Sequence, residues 1–462
     1  MRWQAEGVLP LGGTFDVLDR LAALAQVIPP PLVQQVLVET GRVNPRACCL
    51  THEVTCWVVL AMGLFTDRPL EKVFQACRSL HAQEVTPRRS SLCEARQRLG
   101  AEPIRQLYHR VVRLLATPET PGAFYHGLRL MALDGTVFDV PDFPATAAAF
   151  GRPTGGRGDG AFPQVRKVSL LEVGTHVEVD FVFGPCTVGE TTLAPQLLHH
   201  LQAGMLVLWD RNFFSYGLWK KLLRRGVQIL ARVKKNLVLA PLRRYADGSY
   251  LAKVYRNAAD RRRDRRGIRV RVLEYTVDDP QRTGHAEVHR LLTSLRDATV
   301  HPAWELIGLY HERWEIELVF DEQKTHQDPP RATKPTHVRS QTPEGVEQEL
   351  YALSLGHFVL RALMVQAAQR RQLDPDRLSF TGCLHSVRNR LGEVAGGTPA
   401  VVERWYEALL QELGRQQLPP RANRINPRVV KRKMSKFKKK GPQHRPVPPL
   451  QKTFMESVVM LN

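Results

Sequence analysis

MLVLWDRNFFSYGLWKKLLRRGVQILARV, residues 205–233, decides the fold. MLVLWD begins as an unbroken apolar run, the pattern of a buried strand, and ends on Asp210. SYGLWKKLLRRG follows with apolar residues at helical spacing, and VQILARV is a second short strand. Working upstream, LAPQLLHHL reads as a helix. VRKVSLLEV and HVEVDFVF, separated by Gly174, read as a hairpin. LRLMALDGTVFDV is a strand whose apolar run ends at Asp134. The Gly-rich GRPTGGRGDG (151–160) lacks the strand–loop–helix context and Lys-Ser/Thr ending of a phosphate-binding loop and reads as a mobile loop.

Three strands, then helix, strand, helix, strand is the order of a ribonuclease-H-like α/β core with a mixed sheet. Residues 234–300 interrupt it with short strand-like segments. Within them RNAADRRRDRRGIRVR carries eight arginines against two aspartates. That segment is either a solvated hairpin or a DNA-backbone contact. An all-α domain is expected over 1–122, the catalytic domain over 123–340, and C-terminal helices with a basic tail over 341–462. In the first, SSLCEARQRLG has Ser90 or Ser91 as a possible N-cap and Gly100 as a stop. With the helix after Gly100 it reads equally as a helix-turn-helix, with Arg88, Arg89, Arg96 and Arg98 suited to phosphates, or as a plain bundle. Residues 345–372 read as a long amphipathic helix. RANRINPRVVKRKMSKFKKK (421–440) has ten basic residues and no acidic ones, and reads as a flexible or extended tail.

Net charge is +21 over 462 residues. Folding does not need that excess, so a polyanionic partner is implied, nucleic acid first and an acidic membrane surface second. The longest apolar stretch, Val54–Phe65, is too short to span a bilayer, and the N-terminus has no signal-peptide organisation. A soluble intracellular protein is expected. Seven cysteines at irregular spacing are no disulfide framework. CCLTHEVTC (48–56) sets thiols near His52, but small buried cysteines on helices are the preferred reading over a metal site.

The chemistry concentrates on carboxylates. Asp134 and Asp210 each close an apolar strand, where a charge must be paired or metal-bound. A third acid lies in LIGLYHERWEIELVFDEQK (306–324), where Tyr310, Arg313, Glu317 and Lys324 fall on one helical stripe. Three carboxylates suit two Mg²⁺ or Mn²⁺ ions in a phosphoryl displacement. Asp321 shares Glu317's stripe and stays a second candidate, and Asp139 and Asp142 are weaker substitutes for Asp134.

MALDGT around Asp134, LWDRNFFSYGLW around Asp210 and Tyr310-x2-Arg313-x3-Glu317-x6-Lys324 resemble, in order, the three signature regions of DDE transposases of the insertion-sequence-4 type. The resemblance covers residues ~30–370. It implies that Asp134, Asp210 and Glu317 bind the metals. It also implies that Tyr310 and Arg313 contact the phosphate beside a flipped base and that Lys324 holds the transferred strand. The turn before Lys324 departs from a basic pattern with Phe320, Asp321 and Glu322, and the insert has no tryptophan between Trp219 and Trp304. The implied activity is cut-and-paste transposition through a hairpin intermediate. A dimer would join terminal inverted repeats to target DNA in the bacterial cytoplasm, at the nucleoid. A ribonuclease-H-like nuclease without strand transfer, or an inactive DNA-binding regulator, are the alternatives.

Overall fold

A computed structural model describes residues 21–43, 50–77, 86–155, 158–280, 285–311, 314–329, 336–391, 393, 398–418, 429–430, 438–439 and 452–461. Its main elements in chain order begin with five helices: α1 (Pro30–Glu39), α2 (His52–Met62), α3 (Leu70–Cys77), α4 (Arg89–Leu99) and α5 (Glu102–Val111). Strands β1 (Leu128–Asp139), β2 (Gln164–Glu172), β3 (Val177–Pro185) and β4 (Met205–Trp209) follow. Helix α6 (Tyr216–Arg224) leads to strands β5 (Gln228–Arg232), β6 (Tyr250–Val254), β7 (Ile268–Val277) and β8 (His289–Thr293). Next come α7 (Ala303–His311), α8 (Trp314–Asp321) and a π-helical turn, Glu322–Gln327. Helices α9 (Pro343–Arg370), α10 (Phe380–Arg390) and α11 (Pro399–Leu413) precede a last strand, β9 (Val458–Met460).

The chain forms two compact units. The first holds residues 1–124, 134–197 and 315–417. Helix α9 is its axis, packed by α2, α5, α10 and α11. Its expected amphipathic character is corrected: almost every residue from Val346 to Ala368 is buried. Helices on several sides leave no solvent face, so an apolar surface all round is stable there. This helix is long and apolar enough to cross a membrane, yet 94% of that stretch is buried in the protein.

Helix α4 starts after Arg88 rather than at a serine cap. Arg88, Arg89 and Ser90 at its start are exposed, where solvent can serve the free N–H groups in place of a side-chain cap. Gly100 stops it with φ of 73°, and a Cβ there would also meet Glu344 Oε1 at 2.9 Å. Arg96, expected beside phosphates, is buried. Its guanidinium donates to Gln348 Oε1 at 2.9 Å, Ser340 Oγ at 3.0 Å and Glu349 Oε1 at 3.3 Å. The α4–α5 pair is therefore built into a bundle, while Arg88, Arg89 and Arg98 stay exposed. Cys48 and Cys49 lie outside the described residues; Cys56 and Cys77 are buried on helices, and burial pushes the Cys56 thiol up.

Strands β2 and β3 form the expected hairpin in this unit, antiparallel from Val165↔Pro185 to Glu172↔Val177. LAPQLLHHL (193–201) forms a 3-10 helix, Ala194–His200, directly after a short α-helix, Glu190–Leu193. Pro195 has no N–H with which to continue the α-helical ladder. Thr154–Gly155 and Gly158–Asp159 of the Gly-rich segment pair as two short antiparallel strands.

The second unit holds residues 125–133, 198–314 and 418–462. The first half of β1 pairs parallel with β4, and β4 parallel with β5. Strand β5 continues antiparallel to β8, β8 to β7 and β7 to β6. The arginine segment caps the β6–β7 hairpin with a five-residue helix, Ala258–Arg262, started by the Asn257 side chain. Seven of its arginines are exposed, Arg256, Arg261, Arg262, Arg263, Arg265 and Arg266 at the tip and Arg269 on β7. Arg271 instead is fully buried, bonded to Ser249 Oγ at 2.7 Å, the His301 carbonyl at 2.5 Å and Asp247. The C-terminal region 341–462, expected as helices with a basic tail, also contains the strand β9, whose paired valines suit a strand. Most of the basic stretch 421–440 and PQHRPVPPL (442–450) lie outside the described residues; Val429–Val430 and Lys438–Lys439 pair in parallel.

Candidate active site

Asp134 sits inside β1, not at its end. The apolar run stops at Leu133, but the β-forming residues Thr136, Val137 and Phe138 carry the strand to Asp139. Its Oδ1 accepts the Gly135 N–H at 2.8 Å. Gly135 leaves room for a neighbour: a Cβ there would lie 2.7 Å from the Glu190 carboxyl. Arg166 holds that carboxyl at 3.0 Å and the Cys186 carbonyl at 2.9 Å. Successive strand residues point to opposite faces, so Glu190 stands behind Asp134 and is not a further member of its set. Asp139 accepts from Gln164 at 2.8 Å and Asp142 pairs with Arg152, so both have structural employment.

In the second unit, the β1–β4 ladder runs from Arg129↔Met205 to Leu133↔Trp209. The next residue along each strand is a carboxylate, Asp134 and Asp210. Asp210 is half-buried, and its carbonyl accepts the Phe213 N–H at 3.0 Å, turning the chain toward α6. Ser215 then caps α6 by accepting the Leu218 N–H at 3.1 Å. Trp209 and Trp219 meet edge to face at 6.2 Å and fix helix against strand. Tyr310 on α7 is 8% exposed, and its hydroxyl donates to the Trp209 carbonyl at 3.4 Å, next to Asp210.

The expected stripe is divided. Tyr310 belongs to the second unit, Glu317 and Lys324 to the first, and Arg313 lies outside the described residues. Glu317 is half-buried on α8. Asp321 is exposed and pairs with His326 Nε2 at 3.3 Å. Lys324 falls in the π turn, where the α-helical angle no longer applies. Its ammonium donates to Thr136 Oγ1 at 3.2 Å and the Val137 carbonyl at 2.7 Å. The motif segment thus crosses β1 just beyond Asp134. Burial lowers the Lys324 pKa.

The residues around Lys324 anchor the turn. Glu322, which the sequence sets among the acids around Glu317, faces the core. It accepts from His357 at 2.9 Å, Arg361 Nε at 3.0 Å and His176 at 3.3 Å. Burial pushes its carboxyl up, but Arg361 and the two histidines outweigh that and hold it well below the usual carboxylate range. Gln323 bridges Lys167 and Glu178 at 3.2 Å each, and Gln327 donates to the Gly63 and Leu353 carbonyls at 2.7 and 2.9 Å. Sequence reasoning missed this set. Its signal is His357 and Arg361, one turn apart inside an otherwise apolar helix.

Residues 18–109 match the family model described as insertion element 4 transposase N-terminal, and residues 125–355 match that of the transposase DDE domain. The chain belongs to the insertion-element-4 DDE transposases. It is 30% identical to the transposase InsG for insertion sequence element IS4 of Escherichia coli (strain K12), over 92% of this chain and 97% of that one. It is 27% identical to the putative transposase InsZ of the same strain, over 44% of this chain and 67% of that one. Among solved structures it resembles a piggyBac transposase synaptic complex with hairpin DNA, with a TM-score of 0.42, 11% identity and 86% of each chain covered. This transposase therefore is a DNA-binding enzyme that cleaves and transfers strands on a ribonuclease-H-like core. Its family works with divalent metal ions. A set of carboxylate oxygens fits such hard cations, which prefer oxygen donors.

Proposed function

We propose that this chain catalyses cut-and-paste transposition, with Asp134, Asp210 and Glu317 as its metal-binding catalytic carboxylates. The observation that carries this reading is the end of the β1–β4 ladder at Leu133 and Trp209, immediately before the two aspartates. Lys324 on β1 supports Glu317 as the third member, because the same segment holds both. Two Mg²⁺ or Mn²⁺ ions bound there would supply an activated attacking oxygen and a stabilised leaving oxygen.

Hydrolysis at the element's end breaks a P–O3′ bond and frees a 3′-hydroxyl. That hydroxyl then attacks a phosphorus of target DNA, forms a new P–O bond and expels the target's own 3′-oxygen. Tyr310, Arg313 and Lys324 would hold the DNA, since guanidinium and ammonium groups pair with phosphate. Helical residues 1–122 would add end binding, residues 123–340 the chemistry, and the basic tail within 341–462 salt-sensitive affinity. Two copies would synapse the terminal inverted repeats, in the cytoplasm where the nucleoid lies.

Purified protein mixed with precut terminal-repeat DNA and a plasmid in Mg²⁺ tests this. Joined products are expected; hydrolysis products alone would favour a nuclease. Asp134→Asn should abolish both cleavage and joining while end binding in a gel-shift assay persists.

A further inference from the structure

Residues 452–461 return to the catalytic machinery. Strand β9 pairs antiparallel with β7 through Tyr275↔Met460, Thr276↔Val459 and Val277↔Val458. The Asp278 N–H to Ser457 carbonyl bond, 2.7 Å, and the Leu461 N–H to Glu274 carbonyl bond, 2.9 Å, extend the ladder at both ends. Ser457 is fully buried, and its hydroxyl donates to the Phe454 carbonyl at 2.6 Å. The turn before β9 is therefore fixed, and it delivers two side chains to α7. The Phe454 ring lies flat on His311, centroids 3.8 Å apart and planes 6° from parallel. Met455 Sδ lies 3.2 Å from where a Cβ on Gly308 would be, so the glycine makes the seat for the methionine. Gly308 and His311 flank Tyr310, whose hydroxyl reaches the carbonyl preceding Asp210.

We propose that Phe454 and Met455 are positioning residues of the active site. They fix α7 against its strands so that Tyr310 stays beside Asp210 when DNA binds. An inhibitory flap is the opposite assignment, but a buried serine and a bonded ladder make β9 part of the sheet. The inference rests on the transposase reading above. Sequence reading passes over this segment because it lies far from the motif, beyond the basic stretch, with only two adjacent valines to suggest a strand.

The test uses the full chain and compares wild type, Phe454→Ala, Phe454→Tyr and Gly308→Ala. Single-turnover cleavage of end DNA in Mg²⁺ is measured at saturating protein, beside the dissociation constant for the same DNA without divalent metal. Phe454→Ala should slow cleavage about tenfold or more, as expected for a misplaced positioning group. Its dissociation constant should rise by much less than the rate falls, since Tyr310 is one of several DNA contacts, and Phe454→Tyr should restore the rate. Gly308→Ala, whose methyl displaces Met455, should shift the rate in the same direction and reads the contact even if Phe454→Ala fails to fold. Unchanged or faster cleavage by the folded variants overturns the inference and leaves the transposase reading standing. A wild type that binds its ends and never cleaves overturns that reading, and the inference with it.

Discussion

Glu322 and Lys324 stand two apart, yet one side chain enters the core and the other crosses to β1. The π turn makes this possible, because its wider winding changes which residues share a face. Glu322 is the costlier to disturb. Its partner Arg361 is 2% exposed, and removing the carboxylate leaves that cation buried without a counter-charge. Glu322→Gln should therefore lose about 3 kcal/mol of stability in denaturant unfolding. The pH dependence has a definite sign. A carboxyl whose folded pKa lies below its unfolded value, roughly 4.3, contributes fully above that value and loses its contribution as pH falls toward the folded pKa. Wild type should thus lose stability between neutral and acid pH more steeply than Glu322→Gln. Equal slopes from pH 7 to pH 3 would remove Glu322 from the acid response.

Strand β1 contributes residues to both units and bears Asp134. Behind Asp134 it accepts a carboxylate instead of a side chain of its own, through Gly135 and Glu190. Gly135→Ala forces a methyl into that carboxyl and should cost about 1–3 kcal/mol by overpacking. Adding Glu190→Ala makes room and should recover part of the loss. A double variant no more stable than Gly135→Ala alone, by thermal melting, would mean that Glu190 is not what the glycine admits. Helix α9 is the axis of the first unit. Its buried Glu349, Ser354, His357 and Arg361 all find polar partners, so an apolar core helix also works as the anchor for Arg96, Lys167 and the π turn.

Charge is the property that belongs to the whole molecule. An excess of +21 draws a polyanion at long range, and the six exposed arginines of the β6–β7 tip concentrate part of it on one short segment. End-DNA affinity should fall by about 10³ or more between 50 and 200 mM salt if roughly six or more phosphates are neutralised. Replacing Arg261, Arg262 and Arg263 by glutamine should make the slope of log affinity against log salt shallower. An unchanged slope would make that tip a solvated hairpin only.

The sequence by itself determined the strand–helix–strand order around Asp210 and the β2–β3 hairpin, because apolar runs and helical spacing are local patterns. It also determined Gly100 as a helix stop, through the backbone freedom of one residue. Several other features depended on partners distant in the chain. Arg96, in a pair read as helix-turn-helix or plain bundle, and Arg271, in a segment read as a solvated hairpin or DNA contact, are buried, because Glu349 and Asp247 compensate them. Glu322 reads only as one acid in the turn before Lys324 but is internal, because Arg361 lies across from it. Helix α9 reads as half-exposed, but other helices cover it. Strand β9 forms only because β7 offers it a ladder. Only the tertiary structure decided these, since whether a charge is solvated or buried, and whether a short run pairs, is fixed by the groups that folding brings beside it.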